Sequence, residues 1–146
     1  MAWACEIFEA QTGVNLAQDR VARARLREAV EAAKCRLSTV QRTEIHLPHI
    51  APWMEISHNL DLVLTRAKLE SLTQSLLARL SPPCAQVLED ARLKPGEVDE
   101  VILIGQQSKM PAVQHTIASA LGKSPRLALD NVRGVALGAA IQAGIL

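Results

Sequence analysis

The stretch VILIGQQSKMPAVQ, Val101 to Gln114, limits most sharply what this chain can fold into. Four apolar residues run up to Gly105, and Pro111 suits the first turn of a helix. The lack of alternation in Val101–Ile104 predicts a strand buried on both faces, as in a sheet with helices on both sides. Strand, glycine turn and helix start together can bring backbone N–H groups close to a nucleotide. A second glycine is expected after Gly105, and Gln106 stands there. The stretch is therefore either a nucleotide site or the altered remains of one.

The totals narrow the classes. The chain has 146 residues, 49% of them hydrophobic and 21% charged, enough for one domain or two small subdomains with a packed core. Aromatic residues make up 2%, so the core rests on Leu, Val, Ile and Ala, and stacking platforms for single-stranded nucleic acid are almost absent. A formal charge of +1 gives no basic field for DNA or RNA, so no nucleic-acid partner is expected. Cys5, Cys35 and Cys84 are odd in number and widely spaced, which argues against a disulfide framework or zinc site and for a reducing compartment. No apolar run is long enough to span a membrane, and MAWACEIFEA lacks the basic start of a secretory signal; it reads as a helix entered in mid-course.

Along the chain, Gly13 and Asn15 break a first helical segment. Leu26, Val30, Ala33 and Leu37 then mark one face of an amphipathic helix ending near Ser38, with Arg23, Arg27, Glu28 and Glu31 opposite. Ile45 and Leu47 in RTEIHLPHI, and Leu60, Leu62 and Leu64 in NLDLVLTR, alternate with other residues and predict two strands. APWMEISH between them is the expected hairpin connection, with Trp53 and Met54 as candidates for an exposed partner contact. Thr65 can cap a helix striped by Leu69, Leu72 and Leu76, and Pro82 and Pro83 interrupt it before a helix CAQVLEDARL. After the strand, a helix striped by Val113, Ile117 and Leu121 stops at Gly122. In the last segment Gly138, Ala139 and Ala140 allow close helix packing. The boundary between two subdomains is expected inside the helix from Thr65 to Leu80.

Weaker signals remain. His46 and His49 form an H-x-x-H pair, but Pro48 and the missing third ligand argue against a metal site. His58 and His115 read as isolated surface or boundary residues. Cys35 beside Lys34 is either a reactive thiol or, more simply, a small half-buried residue.

Taken in order, REAVEAAKCRLSTVQRTEIHLPHI, LTRAKLESL, PPCAQVLEDARLKPGEVDEVILIG, KMPAVQ and VALGAAIQAGIL resemble the seventy-kilodalton heat-shock chaperones of the DnaK type, from about Gly13 to Leu146. TEIHLPHI is closer to the bacterial and organellar branch, which implies a cytoplasmic, mitochondrial or plastid location. The resemblance implies an α/β fold, that of lobe II of the actin-like ATPase domain. Residues 1–75 would form the outer subdomain with an adenosine-side helix and β-hairpin, and residues 76–146 part of the inner one. It implies a truncated relative of an ATP-dependent protein-folding chaperone, in which the phosphate loops, interdomain linker and peptide-binding domain lie outside these residues. Mg²⁺ would enter only with the missing lobe.

Residue by residue, the family's adenosine helix motif E-x-A-K-x-x-L-S falls on Glu31, Ala33, Lys34, Leu37 and Ser38. Glu31, Lys34 and Ser38 are spaced three and four apart and share a helix face. By spacing alone that face could be an ordinary solvated Glu–Lys pair. Cys35 stands where the family often has an arginine stacked on adenine. The second adenosine wall, G-G-x-T-R, falls on Gly105, Gln106, Gln107, Ser108 and Lys109. Gln106 for glycine is expected to put a Cβ into a turn of positive φ, at a cost of about 1 kcal/mol or more. Lys109 keeps a charge but loses the planar guanidinium. Where the family has N-P-D-E, Val132 and Arg133 replace the acidic pair. The implied ligands are ATP and ADP, held weakly or only by vestige, with no catalytic residue and no hydrolysis by this chain alone. The implied partners are a nucleotide-exchange factor, a lobe I supplied separately, or a second copy. Partner binding without enzymatic activity and a decayed sequence without a role are the two competing readings.

Overall fold

Asp19 starts the element around which the first half is built. Its carboxylate accepts from the N–H groups of Val21 and Ala22, at 2.7 and 3.1 Å, and so caps helix α2, Arg20–Arg36. In this computed structural model, which describes residues 1–53, 56–128 and 133–145, with the backbone alone at 52, 53 and 56, α2 is preceded by α1, Ala2–Thr12, and a short 3₁₀ turn, Leu16–Gln18. It is followed by an antiparallel hairpin, β1 (Arg42–Trp53) and β2 (Ile56–Thr65), and by α3, Arg66–Ala78. Then come α4 (Ser81–Ala91), β3 (Ile102–Leu103), α5 (Pro111–Leu121), β4 (Arg126–Leu127) and α6 (Gly134–Ile145). The chain divides into two compact units, Met1–Leu69 and Glu70–Leu146, at a point inside α3.

The first unit holds the core. Leu26, Ala33 and Leu37 of the α2 stripe are buried against Ile45, Leu60, Leu62 and Leu64 of the hairpin, and Phe8 of α1 joins them. The register pairs Ile45 with Leu62 and Leu47 with Leu60 on this side, and Glu44 with Val63 and His46 with Asp61 on the exposed side. A period of two thus places one row inside and one outside. His58 shares the parity of Leu60, so it too turns inward. Its ring meets Phe8 edge-on, with centroids 6.2 Å apart. His58 is therefore packed on the core rather than isolated at the surface.

The hairpin runs further than the sequence pattern suggests. Ala51, Pro52 and Trp53 pair with His58, Ser57 and Ile56, so most of the expected connection is strand. The periodicity is broken by a bulge: Pro48, His49 and Ile50 lie between the Leu47–Leu60 and Ala51–His58 pairs, opposite Asn59 alone. Pro48 lacks the N–H a ladder needs, and His49 takes a left-handed φ of 51°. This extra turn rotates Ile50 into the core. Arg25 of α2 fastens the bulge by donating to the Pro48 and His49 carbonyls at 2.7 and 2.8 Å. Of the two candidates for an exposed contact, Met54 and the Trp53 side chain lie outside the described residues.

The second unit is more open. β3 and β4 form a parallel pair only two residues long, through Arg126 N–H to Val101 O and Ala128 N–H to Leu103 O. The expectation of a strand buried on both faces fails here. Val101 is buried, but Ile102 and Ile104 are 46% and 50% exposed, because so short a ladder brings no layer over either face. The α3 stripe also differs: Leu69 packs on the first core, whereas Leu72 and Leu76 are exposed. Pro82 and Pro83 open α4 instead of preceding it, since proline is tolerated where first-turn N–H groups have no helical partner. Gly138 has open space around it. The close approach in α6 is at Gly134, where an added Cβ would lie 3.2 Å from Ile104 Cγ2.

Candidate functional site

The C-terminal end of α2 carries three of the expected site residues. Lys34 Nζ lies 2.6 Å from Glu31 Oε1, a pair one helical turn apart, with the lysine side chain only 27% exposed. The Cys35 thiol approaches the same oxygen at 3.9 Å, so it faces the carboxylate rather than sitting half-buried; Cys35 is exposed. Glu31 Oε2 and the Ser38 hydroxyl make no hydrogen bond among the described residues. The end of α2 and the turn after it therefore offer an ammonium, an acceptor and a hydroxyl that can donate or accept.

That face needs a support that the sequence pattern does not reveal. α2 ends at Arg36, and Ser38 stands in the turn that follows. Arg66 holds this turn from the start of α3. Its Nε donates to Leu37 O at 2.8 Å, its Nη2 to Val40 O at 3.0 Å, and its backbone N–H to Gln41 O at 2.8 Å. A cation thus meets the carbonyl end of α2, where the helix dipole favours it. The available signal is an arginine directly after the capping residue Thr65, in a first turn where a positive charge is unfavourable unless it reaches elsewhere.

Gly105 and Lys109 lie in the second unit. Gly105 has φ 98° and ψ 158°, a conformation that L side chains rarely adopt, and it precedes a 3₁₀ turn, Gln106–Lys109. The positive φ falls on Gly105 and not on Gln106, so the expected strain at Gln106 is absent. Ser108, in the place of the family threonine, is buried and donates from Oγ to Gly105 O. The Gln114 side chain donates to Ser108 O at 2.8 Å and ties the turn to α5. Lys109 is exposed. Val132 lies outside the described residues; Arg133 is exposed. Before β3, Glu100 is bonded to Arg126, which holds the glutamate below the usual carboxylate range and raises the arginine.

Other candidates resolve locally. His46 Nδ1 engages Asp61 across the strands, and His49 Nδ1 engages Ser57 Oγ, so each ring has its own partner. No group of three metal-ligating side chains occurs among the described residues. No described helix is long and apolar enough to cross a membrane.

A capped helix, a hairpin and a strand–glycine–helix unit thus follow one another along the chain. The model of the family described as "Hsp70 protein" matches residues 1–146, the whole chain. The chain belongs to the Hsp70 family. The match includes α1, which lies ahead of Gly13, where the resemblance in sequence motifs begins. Hsp70 proteins are chaperones with an actin-like ATPase fold, and the mixed α/β architecture with its small antiparallel hairpin agrees with a lobe of that fold. The family binds ATP and ADP with Mg²⁺ and interacts with nucleotide-exchange factors.

The α2 face fits the ribose and base edge of such a nucleotide by donor set. Among the described residues, one Glu31 oxygen and the Ser38 hydroxyl have no hydrogen-bond partner, and Lys34 lies beside Glu31. When bound, the Mg²⁺–nucleotide supplies the phosphoryl chemistry.

Proposed function

We propose that these residues carry the adenosine-facing half of an Hsp70 nucleotide site, and that by themselves they bind nucleotide weakly and do not hydrolyse ATP. The observation behind this reading is the α2 end, where Lys34 engages one oxygen of Glu31 and the other has no partner among the described residues, with the Ser38 hydroxyl following in the turn after the helix. Glu31 Oε2 accepts from ribose hydroxyls, while Lys34 and Ser38 donate to the adenosine. Gly105 lets the backbone of the second wall approach, and Lys109 supplies charge without a planar face. Residues 1–75 act as the outer subdomain of lobe II and 76–146 as part of the inner one. Hydrolysis needs groups that hold Mg²⁺ and phosphates and place a water, and we assign none of these to the chain.

Amide spectra of the labelled chain test this reading. Added ADP should shift Glu31, Lys34, Ser38 and the Gly105–Lys109 turn. Shifts confined to other residues, or ATP turnover that survives repurification and exceeds a heat-killed control, would contradict it.

A second reading draws on the family's use of exchange factors. The hairpin presents an outward row that includes Val63, an exposed apolar residue between charged neighbours. On this reading the first unit is an exchange-factor contact with no enzymatic role, with Trp53 and Met54 as further candidates. Capture of an exchange factor that persists unchanged after both Val63→Asp and Trp53→Ala would remove it.

A further inference from the structure

β3 leaves one edge of its sheet open. Arg126 N–H donates to Val101 O and Ala128 N–H to Leu103 O, so Val101 and Leu103 turn their backbone groups towards β4. Alternation along the strand turns those of Ile102 and Ile104 the other way. No strand lies beside them there among the described residues, because β3 and β4 form a sheet of two. Native edges are commonly blunted by a charge, a proline or a bulge. Val101–Ile104 has none of these, and Ile102 and Ile104 are exposed on it. An apolar edge of this kind is a template for another strand.

We propose that this edge pairs with the same edge of a second copy of the chain, antiparallel about a twofold axis at Leu103. The edge is self-complementary in that register. Leu103 stands opposite Leu103 of the second copy as a non-hydrogen-bonded pair, and Ile102 stands opposite Ile104 of the second copy. Each Ile102–Ile104 pair then exchanges both N–H···O bonds, using the backbone groups that β4 does not reach. The charges select the same orientation. Exposed Asp99 precedes the strand and exposed Lys109 closes the 3₁₀ turn after it, so antiparallel pairing brings the acidic end of one copy to the cationic end of the other. The contact is isologous and closes at two copies, joining two short ladders into one sheet of four strands. It rests on neither nucleotide binding nor the exposed face of α6.

The test follows the whole chain by sedimentation equilibrium and by amide exchange over a range of concentrations. A dimer should form as concentration rises, and the Ile102 and Ile104 amides should become protected with it. Ile102→Pro removes an outward N–H and is tolerated on an edge strand, so the Arg126 and Ala128 amides should stay protected. Two symmetry-related bonds are lost, and the dimer dissociation constant should rise at least about tenfold. Ile141→Glu, on α6, should leave the protection of Ile102 and Ile104 unchanged. With Cys5, Cys35 and Cys84 replaced by serine, Leu103→Cys should form a symmetric disulfide at least about tenfold faster than Lys123→Cys, because the Cα atoms of a non-hydrogen-bonded pair lie within disulfide reach. A chain that stays monomeric, a dimer that Ile102→Pro leaves intact while the β3–β4 amides remain protected, or equal cross-linking from positions 103 and 123 would overturn the proposal.

Discussion

Replacing Arg66 by alanine should loosen the C-terminal end of α2 more than any substitution at Glu31, Lys34 or Ser38. The change removes two charge-assisted hydrogen bonds, to Leu37 O and Val40 O, and keeps the backbone bond to Gln41 O. Hydrogen bonds from charged groups contribute about 1.5–3 kcal/mol each, but the bond to Val40 is exposed and is discounted for solvent. The expected loss is therefore about 2–3 kcal/mol. Both tryptophans, Trp3 and Trp53, belong to the first unit, so their fluorescence during urea unfolding follows that unit alone. With a slope of about 1 kcal/mol per molar urea for so small a unit, the midpoint should fall by about 2–3 M. Arg66→Lys, with a point charge and no fork, should recover less than half of the loss. A fall below about 0.5 M for the alanine variant would refute the reasoning, because it would mean that solvent already satisfies those carbonyls.

Three further outcomes follow from the second unit. Gly122→Ala should disrupt the α5 end severely, since the added Cβ would lie 2.6 Å from Gly96 N at a φ of 67°; retained exchange protection of the Gly96 amide would contradict this. Glu100 is held low mainly by its hydrogen bond to Arg126, with desolvation opposing this and the arginine's charge adding a smaller push downward. Its folded value lies below the unfolded one, so the bond stabilises above the ordinary glutamate value of about 4.3 and is lost as pH falls through the lower folded value. Glu100→Gln should therefore weaken protection of the Arg126 and Ala128 amides near neutral pH and match wild type in acid; a constant difference across that range would contradict the assignment. α6 leaves Val135, Ile141 and Ile145 at 75%, 66% and 73% exposure, so the chain should self-associate at high concentration unless a partner covers that face. A monomeric light-scattering mass throughout the range, without a partner, would count against it.

Much of the first unit is legible in the sequence because its signals are strong and local. Leu26, Ala33 and Leu37 at helical spacing, and Leu60, Leu62 and Leu64 at a spacing of two, mark buried faces by residue type and period alone. Parity also applies to His58, but a polar residue at an inward position hides it. The bulge is not legible, because Pro48 shows that pairing fails there and not how many residues the ladder skips. The roles of Arg25 and Arg66 are hidden because their partners are backbone carbonyls distant in sequence, which no pattern of side-chain types records. In the second unit, apolar character does not amount to burial. Ile102 and Ile104 show that an apolar run states what a strand can bury, not what covers it. At Gln106 the motif locates the turn, but the positive φ belongs to the residue before it.

The central claim is that the open oxygen of Glu31, with Lys34 and Ser38, still receives adenosine. Calorimetric titration of the folded, monodisperse chain with ADP and ATP, with and without Mg²⁺, tests it most directly. The account predicts weak saturable binding that differs little between ADP and ATP and that Lys34→Ala weakens at least about tenfold. No heat at millimolar nucleotide from a chain shown folded by circular dichroism, or equal binding by the Lys34→Ala variant, would contradict it.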